Sequence, residues 1–358
     1  MSTLATPTSL PHPTDDELDG LKRHIQQFAA NTVLIVGSGL SLAEGVSGMG
    51  ALAQHLLATV PKQLPTGADA HWQPIADALA KGMGLEEVLL RHPPTPAIER
   101  VIVGETFALI RADEARILGE VVSGSRTLRL TRLLRCFSTD LIHMITPNYE
   151  RLGEAAAECA GFGVDTMFVG NCLGRYDEEA CRLSFVRDIR QDRKSYRLVH
   201  APRLVLSKPH GSLDWCRRDD KPVRVSPDLN TAPLIITPGL NKYQHGYSVP
   251  FDRHRERANQ AIDDAAAFMI IGYGFNDDHL ETHLGPAIRS GRRTLIVTYE
   301  LSIKARQLAG TCANVTALER GMQGGSEGTI IWHSGTQFFL PGVSFWDLGD
   351  LVKEMFGG

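Results

Sequence analysis

An α/β fold with a parallel sheet is what this sequence predicts, on three observations. Short apolar runs recur along the chain: Val33-Leu34-Ile35-Val36, Leu141-Ile142-His143-Met144-Ile145, Leu204-Val205-Leu206, Phe268-Met269-Ile270-Ile271 and Leu295-Ile296-Val297. Each run ends in a polar or glycine-bearing turn, and segments of helical periodicity separate the runs. Parallel strands covered on both faces read as continuous apolar runs, and such sheets bind ligands at the carboxyl ends of their strands. Motifs distant in sequence are therefore expected to meet in one crevice.

Taken in order, residues 1–13 are rich in Thr, Ser and Pro and lack the basic-then-apolar order of a signal peptide, so they read as a disordered leader. Thr14-Asp15-Asp16-Glu17 fits a capping box, and Leu18, Leu21, Ile25 and Phe28 follow at helical spacing. The first strand and its glycine turn come next, then a helix over about 50–59. Residues 61–130 are mostly helical with Pro-rich breaks and are read as a helical insertion. Helix–strand alternation resumes at Leu133 and continues to about Ala309. Residues 310–358 contribute two short strands, 329–332 and 337–340, and a last helix over 346–355. The whole of 14–358 is thus expected to form one Rossmann-like unit with helices on both faces and a helical insertion subdomain. Residues 175–197 break the pattern with dense charge; they read as a solvated helix or hairpin, or as a lid or partner contact.

Composition narrows the function classes. The chain has 358 residues, 43% hydrophobic and 22% charged, which suits a soluble globular protein with a substantial core. A net charge of -4 gives no general nucleic-acid electrostatics, and no apolar stretch approaches the roughly 20 residues of a membrane span. A cytoplasmic location is expected. The six cysteines form no CxxC pair, which excludes the commonest zinc-ribbon spacing. His279 and His283 stand i,i+4 beside acidic residues, but the glutamate is displaced from HExxH and no third ligand is evident, so no metal is expected.

The turns carry the chemistry. Gly37-Ser38-Gly39 lies between a strand and a helix, where glycines admit a pyrophosphate and the helix offers unpaired N–H groups. Leu42 replaces the third glycine of GxGxxG, and a tight strand-to-helix turn is the competing explanation. Asn148, after Thr146-Pro147, has an amide suited to a ribose hydroxyl or a positioned water, or is a turn asparagine. His210 ends a strand and precedes Gly211-Ser212; its imidazole suits a general base near neutral pH. Trp215 is expected to pack this turn. Gly272-Tyr273-Gly274 ends another strand, with Asn276-Asp277-Asp278 as a helix cap. Glu300 is placed either to accept from ribose hydroxyls or as a first-turn helix carboxylate.

In this order the motifs resemble the sirtuin superfamily, the NAD-consuming group named after silent information regulator two. The resemblance runs from about residue 32 to 305 and is carried by Gly37, Ser38, Gly39 and Ser41, by Thr146, Asn148 and Glu150, by His210-Gly211, by Gly272-Tyr273-Gly274, and by Val297 with Glu300. Within that group the chain looks like the bacterial sirtuin-like proteins of antiphage defence, which destroy NAD. The family's proline–aspartate–phenylalanine–arginine stretch is replaced by Met49-Gly50-Ala51-Leu52, and the two CxxC pairs of deacylase sirtuins are missing.

The resemblance implies an NAD glycohydrolase with His210 and Asn148 as catalytic residues and NAD as substrate. It implies Gly37, Ser38, Gly39, Ser41, Thr146, Gly272, Tyr273, Gly274 and Glu300 as NAD-binding residues. An NAD-dependent protein deacylase and an NAD or ADP-ribose sensor without turnover are the alternatives. The family also implies control by assembly: a homo-oligomer, a partner ATPase of the HerA type, or a nucleotide-sensing enzyme. No direct nucleic-acid or membrane partner is expected.

Overall fold

A computed structural model describes residues 9–29, 31–192, 195–226, 233–236 and 248–357. From the N-terminus, helix α1 (Asp15–Gln26) leads into strand β1 (Thr32–Val36) and helix α2 (Ser38–Glu44). Helices α3 (Met49–Thr59), α4 (Asp69–Ala80), α5 (Leu85–Arg91), α6 (Pro96–Val122) and α7 (Arg129–Arg135) precede β2 (Leu141–Ile145) and α8 (Leu152–Cys159). Next come β3 (Gly163–Asp165), β4 (Phe168–Val169), β5 (Leu173–Tyr176), α9 (Glu178–Ser184), β6 (Val186–Asp192) and β7 (Ser195–His200). They are followed by β8 (Arg203–Ser207), β9 (Trp215–Arg218) and β10 (Lys221–Val225). The last third holds α10 (Phe251–Asp264), β11 (Ala267–Ile271), α11 (Asp278–Arg289), β12 (Arg293–Val297) and α12 (Ile303–Thr311). It closes with β13 (Val315–Gln323), β14 (Ser326–His333), β15 (Thr336–Pro341) and α13 (Leu348–Phe356).

The chain divides into two compact units, 1–40 with 129–145 and 258–358, and 41–128 with 146–257. In the first unit β2, β1, β11, β12 and β13 are neighbours in parallel, and β14 and β15 extend the sheet antiparallel, so the sheet is mixed. Strand alternation sends Val33, Ile35, Phe268, Ile270 and Ile296 to one face, where they pack with Ile262 of α10, Leu284 of α11 and Leu308 of α12. Leu34, Met269 and Leu295 point to the other face and are fully buried, and α1, α7 and α13 pack on one another there. Helices therefore cover both faces, as the unbroken apolar runs require. β13 is a central strand despite Glu319 at its midpoint. That carboxylate is buried and satisfied: Oε2 accepts from the Leu301 N–H and Arg306, both at 3.0 Å, and Oε1 from the Trp332 indole at 3.0 Å.

The Thr14 capping box is present, with Glu17 N–H donating to Thr14 Oγ1 at 3.3 Å and Thr14 N–H to Glu17 Oε2 at 2.7 Å. Of the expected leader, residues 1–8 lie outside the described residues. Residues 10 and 11 do not behave as a leader: Leu10 N–H donates to Gln323 Oε1 at 2.7 Å, and Phe339 N–H donates to the Pro11 carbonyl at 2.9 Å. Backbone groups spent on β13 and β15 tie that segment down.

The second unit contains a helical cluster, a parallel strand pair and two small sheets. Leu52, Leu56, Trp72, Ile75, Leu89 and Ile98 form the core of the cluster, drawn from α3 to α6. β3 and β8 pair in parallel, β4-β5-β10-β9 is an antiparallel sheet, and β6-β7 is a two-stranded ribbon. The charge-dense segment 175–197 is thus a short helix and a hairpin; Arg193 and Lys194 lie outside the described residues. No helix among the described residues is long and apolar enough to cross a membrane.

In the first unit the turns after β1 and β11 touch backbone to backbone. Gly37 N–H donates to the Ile271 carbonyl and Gly39 N–H to the Gly272 carbonyl, both at 2.9 Å. A Cβ on Gly37 would lie 2.4 Å from the Gly272 oxygen, and one on Gly272, whose φ is +57°, would lie 2.5 Å from the Leu40 nitrogen. Overpacking a rigid backbone contact costs about 1–3 kcal/mol or more. Gly37→Ala is expected to lower the free energy of unfolding by at least that amount, whereas Gly50→Ala, with nothing within 4 Å of its Cβ, is expected to be neutral or stabilising. Urea denaturation of the two variants checks the contrast.

Candidate functional site

In the second unit the loop after β2 and the loop after β8 are laced together. The strand-end residues of the first loop are Thr146, Asn148 and Glu150. Asn148 N–H donates to Thr146 Oγ1 at 3.2 Å, and Thr146 N–H to the Ser207 carbonyl at 2.9 Å. The Asn148 Nδ2 group donates to Ser41 Oγ at 2.7 Å and to Glu150 Oε1 at 3.3 Å, while the Ser41 hydroxyl donates to Glu150 Oε1 at 2.6 Å. Ser41, Asn148 and Glu150 are all buried. Both amide hydrogens of Asn148 are spent inside this triad, so the amide turns its oxygen, an acceptor, to any ligand. Glu150 is therefore no exposed first-turn carboxylate, and the Ser41 hydroxyl is spent between Asn148 and Glu150.

His210 sits on the second loop, half-buried. Its carbonyl accepts from Ile236 N–H at 2.8 Å, and Gly211 forms an isolated antiparallel bridge with Ile235. Gly211 has φ +92°, and a Cβ there would stand 2.1 Å from the Leu234 carbonyl oxygen. Only glycine fits. The glycine after His210 thus lets a short segment clamp the histidine's backbone. Trp215 packs this turn as expected, 1% exposed, with its ring 4.6 Å from that of His254 and 5.2 Å from that of Phe168.

The lysine between strand β8 and His210 joins the two loops. Lys208 is 1% exposed, and its ammonium donates to the Glu150 carbonyl at 2.7 Å, the Tyr149 carbonyl at 3.3 Å and Glu154 Oε1 at 3.1 Å. Leu213 N–H also donates to the Tyr149 carbonyl, at 3.0 Å. Behind Lys208, Asp214 is paired with Arg224 at 2.6 Å, and Arg151 is paired with the buried Glu114 at 2.5 Å. Burial pushes the Glu154 carboxyl above its usual range, Lys208 opposes this and Asp214 adds to it. Burial works the same way on Asp214, but Arg224, its hydrogen bond and Lys208 prevail and hold that carboxyl low. Burial pushes His254 well below the ordinary histidine range, with Arg257 and Lys208 acting in the same sense. Sequence reasoning passed over Lys208, although a lysine closing the apolar run Leu204–Ser207 is a signal, because a buried strand end admits a cation only when acceptors surround it.

The remaining expected residues lie in the first unit. Gly37, Gly39 and Gly272 are brought together as described, and Ser38 is exposed at the start of α2. Tyr273 is a core side chain: 6% exposed, its ring 5.3 Å from that of Phe275 and its hydroxyl donating to Glu281 at 3.3 Å. Only its backbone is left for a ligand, and burial pushes its phenol far above the usual range. Gly274 is exposed, and a Cβ there would meet only the Asn276 side chain. Glu300 has a side chain 74% exposed, 3.7 Å from Arg306, and precedes the Ser302 cap of α12 without belonging to the helix. Asp277 caps α11, accepting from His279 N–H at 3.0 Å. His283 pairs with Asp263 at 3.0 Å.

No protein-family model and no curated protein matches the chain. Among solved structures it is similar to one described for the mechanism and regulation of Sir2 enzymes, at 14% identity over 81% of this chain and 89% of that one, TM-score 0.36. It is similar to another described for sirtuin substrate affinity, at 13% identity over 81% and 90%, TM-score 0.37. A third is a Sir2 homolog–NAD complex, at 12% identity over 97% and 96%, TM-score 0.39.

Removing one partner of a buried ion pair costs about 3–5 kcal/mol, because the other charge stays buried. Lys208→Met is expected to destabilise the chain by that amount, and Glu154→Gln in the same chain to recover most of it, as read by urea denaturation. The acid limb carries a second signature. A depressed carboxyl contributes stability above its unfolded pKa of about 3.9, lost as pH falls through the lower folded value. Lys208 helps to hold Asp214 low, so the Lys208→Met chain is expected to lose that contribution at a higher pH than the parent.

Proposed function

We propose that the chain is an NAD glycohydrolase, cleaving NAD with water to nicotinamide and ADP-ribose. One observation carries the reading: an asparagine with both amide hydrogens committed, on a loop bonded through Lys208 and Tyr149 to the loop of a half-buried histidine. Cleavage of the glycosidic bond sends the bonding electrons to nicotinamide, which leaves neutral, and positive charge builds on the ribose. The Asn148 oxygen accepts from a ribose hydroxyl or from the attacking water and so fixes its position. His210 takes the proton that the water loses and returns it to solvent. The Glu150 carboxylate behind Asn148 adds negative charge beside the developing cation.

The roles of the other residues follow the same reading. Ser38 offers its exposed hydroxyl at the start of α2 to the pyrophosphate of NAD, and Gly37, Gly39, Gly272, the Tyr273 backbone and Gly274 shape the turns that receive it, the Gly37 and Gly39 N–H groups being spent on the Ile271 and Gly272 carbonyls. Glu300 accepts from the adenosine ribose, and Thr146 supports the Asn148 loop. The order of the motifs supports the wider reading of an NAD-depleting effector of bacterial antiphage defence, held in check by assembly or by a partner of the HerA type.

The test is nicotinamide release from NAD by the purified chain, with and without an acetylated peptide. Release without peptide is expected, and His210→Ala is expected to lower it by about 10²–10⁴-fold. Ser41→Ala, which frees the Asn148 amide to rotate, is expected to lower kcat by about tenfold while the chain still binds NAD. Release that requires the peptide would make the chain a deacylase. NAD binding with no release, unchanged by His210→Ala, would make it a sensor.

A further inference from the structure

We propose that the β6–β7 ribbon is where two copies of this chain associate, β6 pairing antiparallel with β6 of a second copy about a two-fold axis at Ile189. The ribbon is a two-stranded sheet of its own, and β7 is the one strand paired with β6 among the described residues. Its register puts Ile189 opposite Leu198 and Gln191 opposite Tyr196 on one face, and Arg190 opposite Arg197 on the other. Ile189 is 60% exposed and Tyr196 73%. A lone hairpin is marginal in water, and two large apolar side chains left in solvent add nothing to it. On the other face two guanidinium groups stand directly opposed, an arrangement that destabilises a sheet. Asp188 reaches Arg190 at only 3.5 Å.

The strand is self-complementary about Ile189. Antiparallel pairing there sets Asp188 against Arg190 of the second copy and Arg190 against its Asp188, with Arg187 against Gln191 on either side. Each Arg190, crowded by Arg197, gains a carboxylate from across the axis. On the opposite face Ile189, Leu198 and Tyr196 of the two copies form one apolar surface. The backbone agrees with this register. Ile189 N–H donates to the Asp188 carboxylate at 2.8 Å, as an edge N–H shielded by its neighbour does. In the pair that N–H passes to the Ile189 carbonyl of the second copy, and Asp188 turns to Arg190. Residues 188 and 190 then form the pairs that are not hydrogen-bonded, where side chains stand closest, about 4.5 Å between Cα atoms. A nucleic-acid occupant is disfavoured, because Asp188 shares the arginine face and the whole chain carries a charge of -4.

Sedimentation velocity of the full chain over a concentration series tests the interface apart from any catalysis. The parent chain is expected to dimerise at micromolar concentration. Asp188→Arg and Arg190→Asp each set like charges against one another twice across the axis, and each is expected to raise the dimer dissociation constant about tenfold or more. An equimolar mixture of the two variants is expected to associate as the parent does. In the mixed pair the introduced arginine meets the introduced aspartate, and the native Arg190 meets the native Asp188. Misfolding of either variant would not be repaired by mixing. A monomeric parent, variants that dimerise as well as the parent, or a mixture that stays monomeric would each overturn the proposal, as would a monomer that retains a DNA duplex through the ribbon.

Discussion

One buried ammonium group holds the second unit's loops in place. Lys208 has three N–H donors, and all three find acceptors: two carbonyls of the loop after β2 and one carboxylate of α8. A cation with 1% exposure has no water to fall back on. Pulling the Asn148 loop away from the His210 loop would leave that charge unsolvated, at a cost of several kcal/mol. The two loops therefore hold their spacing before any ligand arrives, which is the condition for positioned catalytic groups. Glu154 is the counterpart of this arrangement. It is buried to match Lys208, and its Oε2 atom finds no hydrogen-bond partner among the described residues.

Around that cation the site is built from commitments that narrow what each residue offers. An isolated asparagine donates and accepts; Asn148, with Ser41 and Glu150 on its nitrogen, accepts alone. A histidine on a free turn samples many positions; His210 is followed by a glycine in the left-handed region, and its carbonyl is clamped by Ile236 N–H. The helical cluster reaches the same region through α6. Asp113 accepts from Ser47 N–H at 2.8 Å, Arg116 donates to the Gly45 carbonyl at 2.8 Å, and Glu114 grips Arg151, next to Glu150. One long helix thereby holds the loop that follows Ser41 and the residue that follows the triad.

What the sequence made legible follows from which forces act locally. β1, β2, β8, β11 and β12 are apolar runs because both faces are covered, and the α1 cap and the Asp277 cap are written within four residues. β13 was invisible because Glu319 sits at its centre, and the Trp332, Arg306 and Leu301 groups that satisfy it come from other parts of the chain. The β14–β15 hairpin was legible as two strands, but not as the antiparallel edge of the main sheet, since pairing direction leaves no mark on composition. The Lys208 network was missed for the same reason as Glu319. A buried charge is explained by partners at long range, and a single sequence does not say which carbonyls will surround it. Tyr273 adds a different point: the resemblance names it for NAD binding, and past the end of β11 the turn carries its ring into the core, which only the packed structure shows.

The glycines of the first unit show which residues are diagnostic of function. Gly37, Gly39 and Gly272 are each required by contact between two backbones, so their presence is explained before any phosphate is considered. A protein that bound nothing but kept these two turns in contact would need the same three residues. The triad in the second unit lacks such an explanation. Folding is served by apolar packing at a strand end, and burying a serine, an asparagine and a glutamate together costs desolvation that their mutual hydrogen bonds offset only in part. Polar groups that leave an oriented acceptor beside a loop bearing a half-buried histidine make physical sense as a site for chemistry. Asn148 and His210 therefore carry the proposed chemistry, and the glycines enter it only as the scaffold of the first unit's turns.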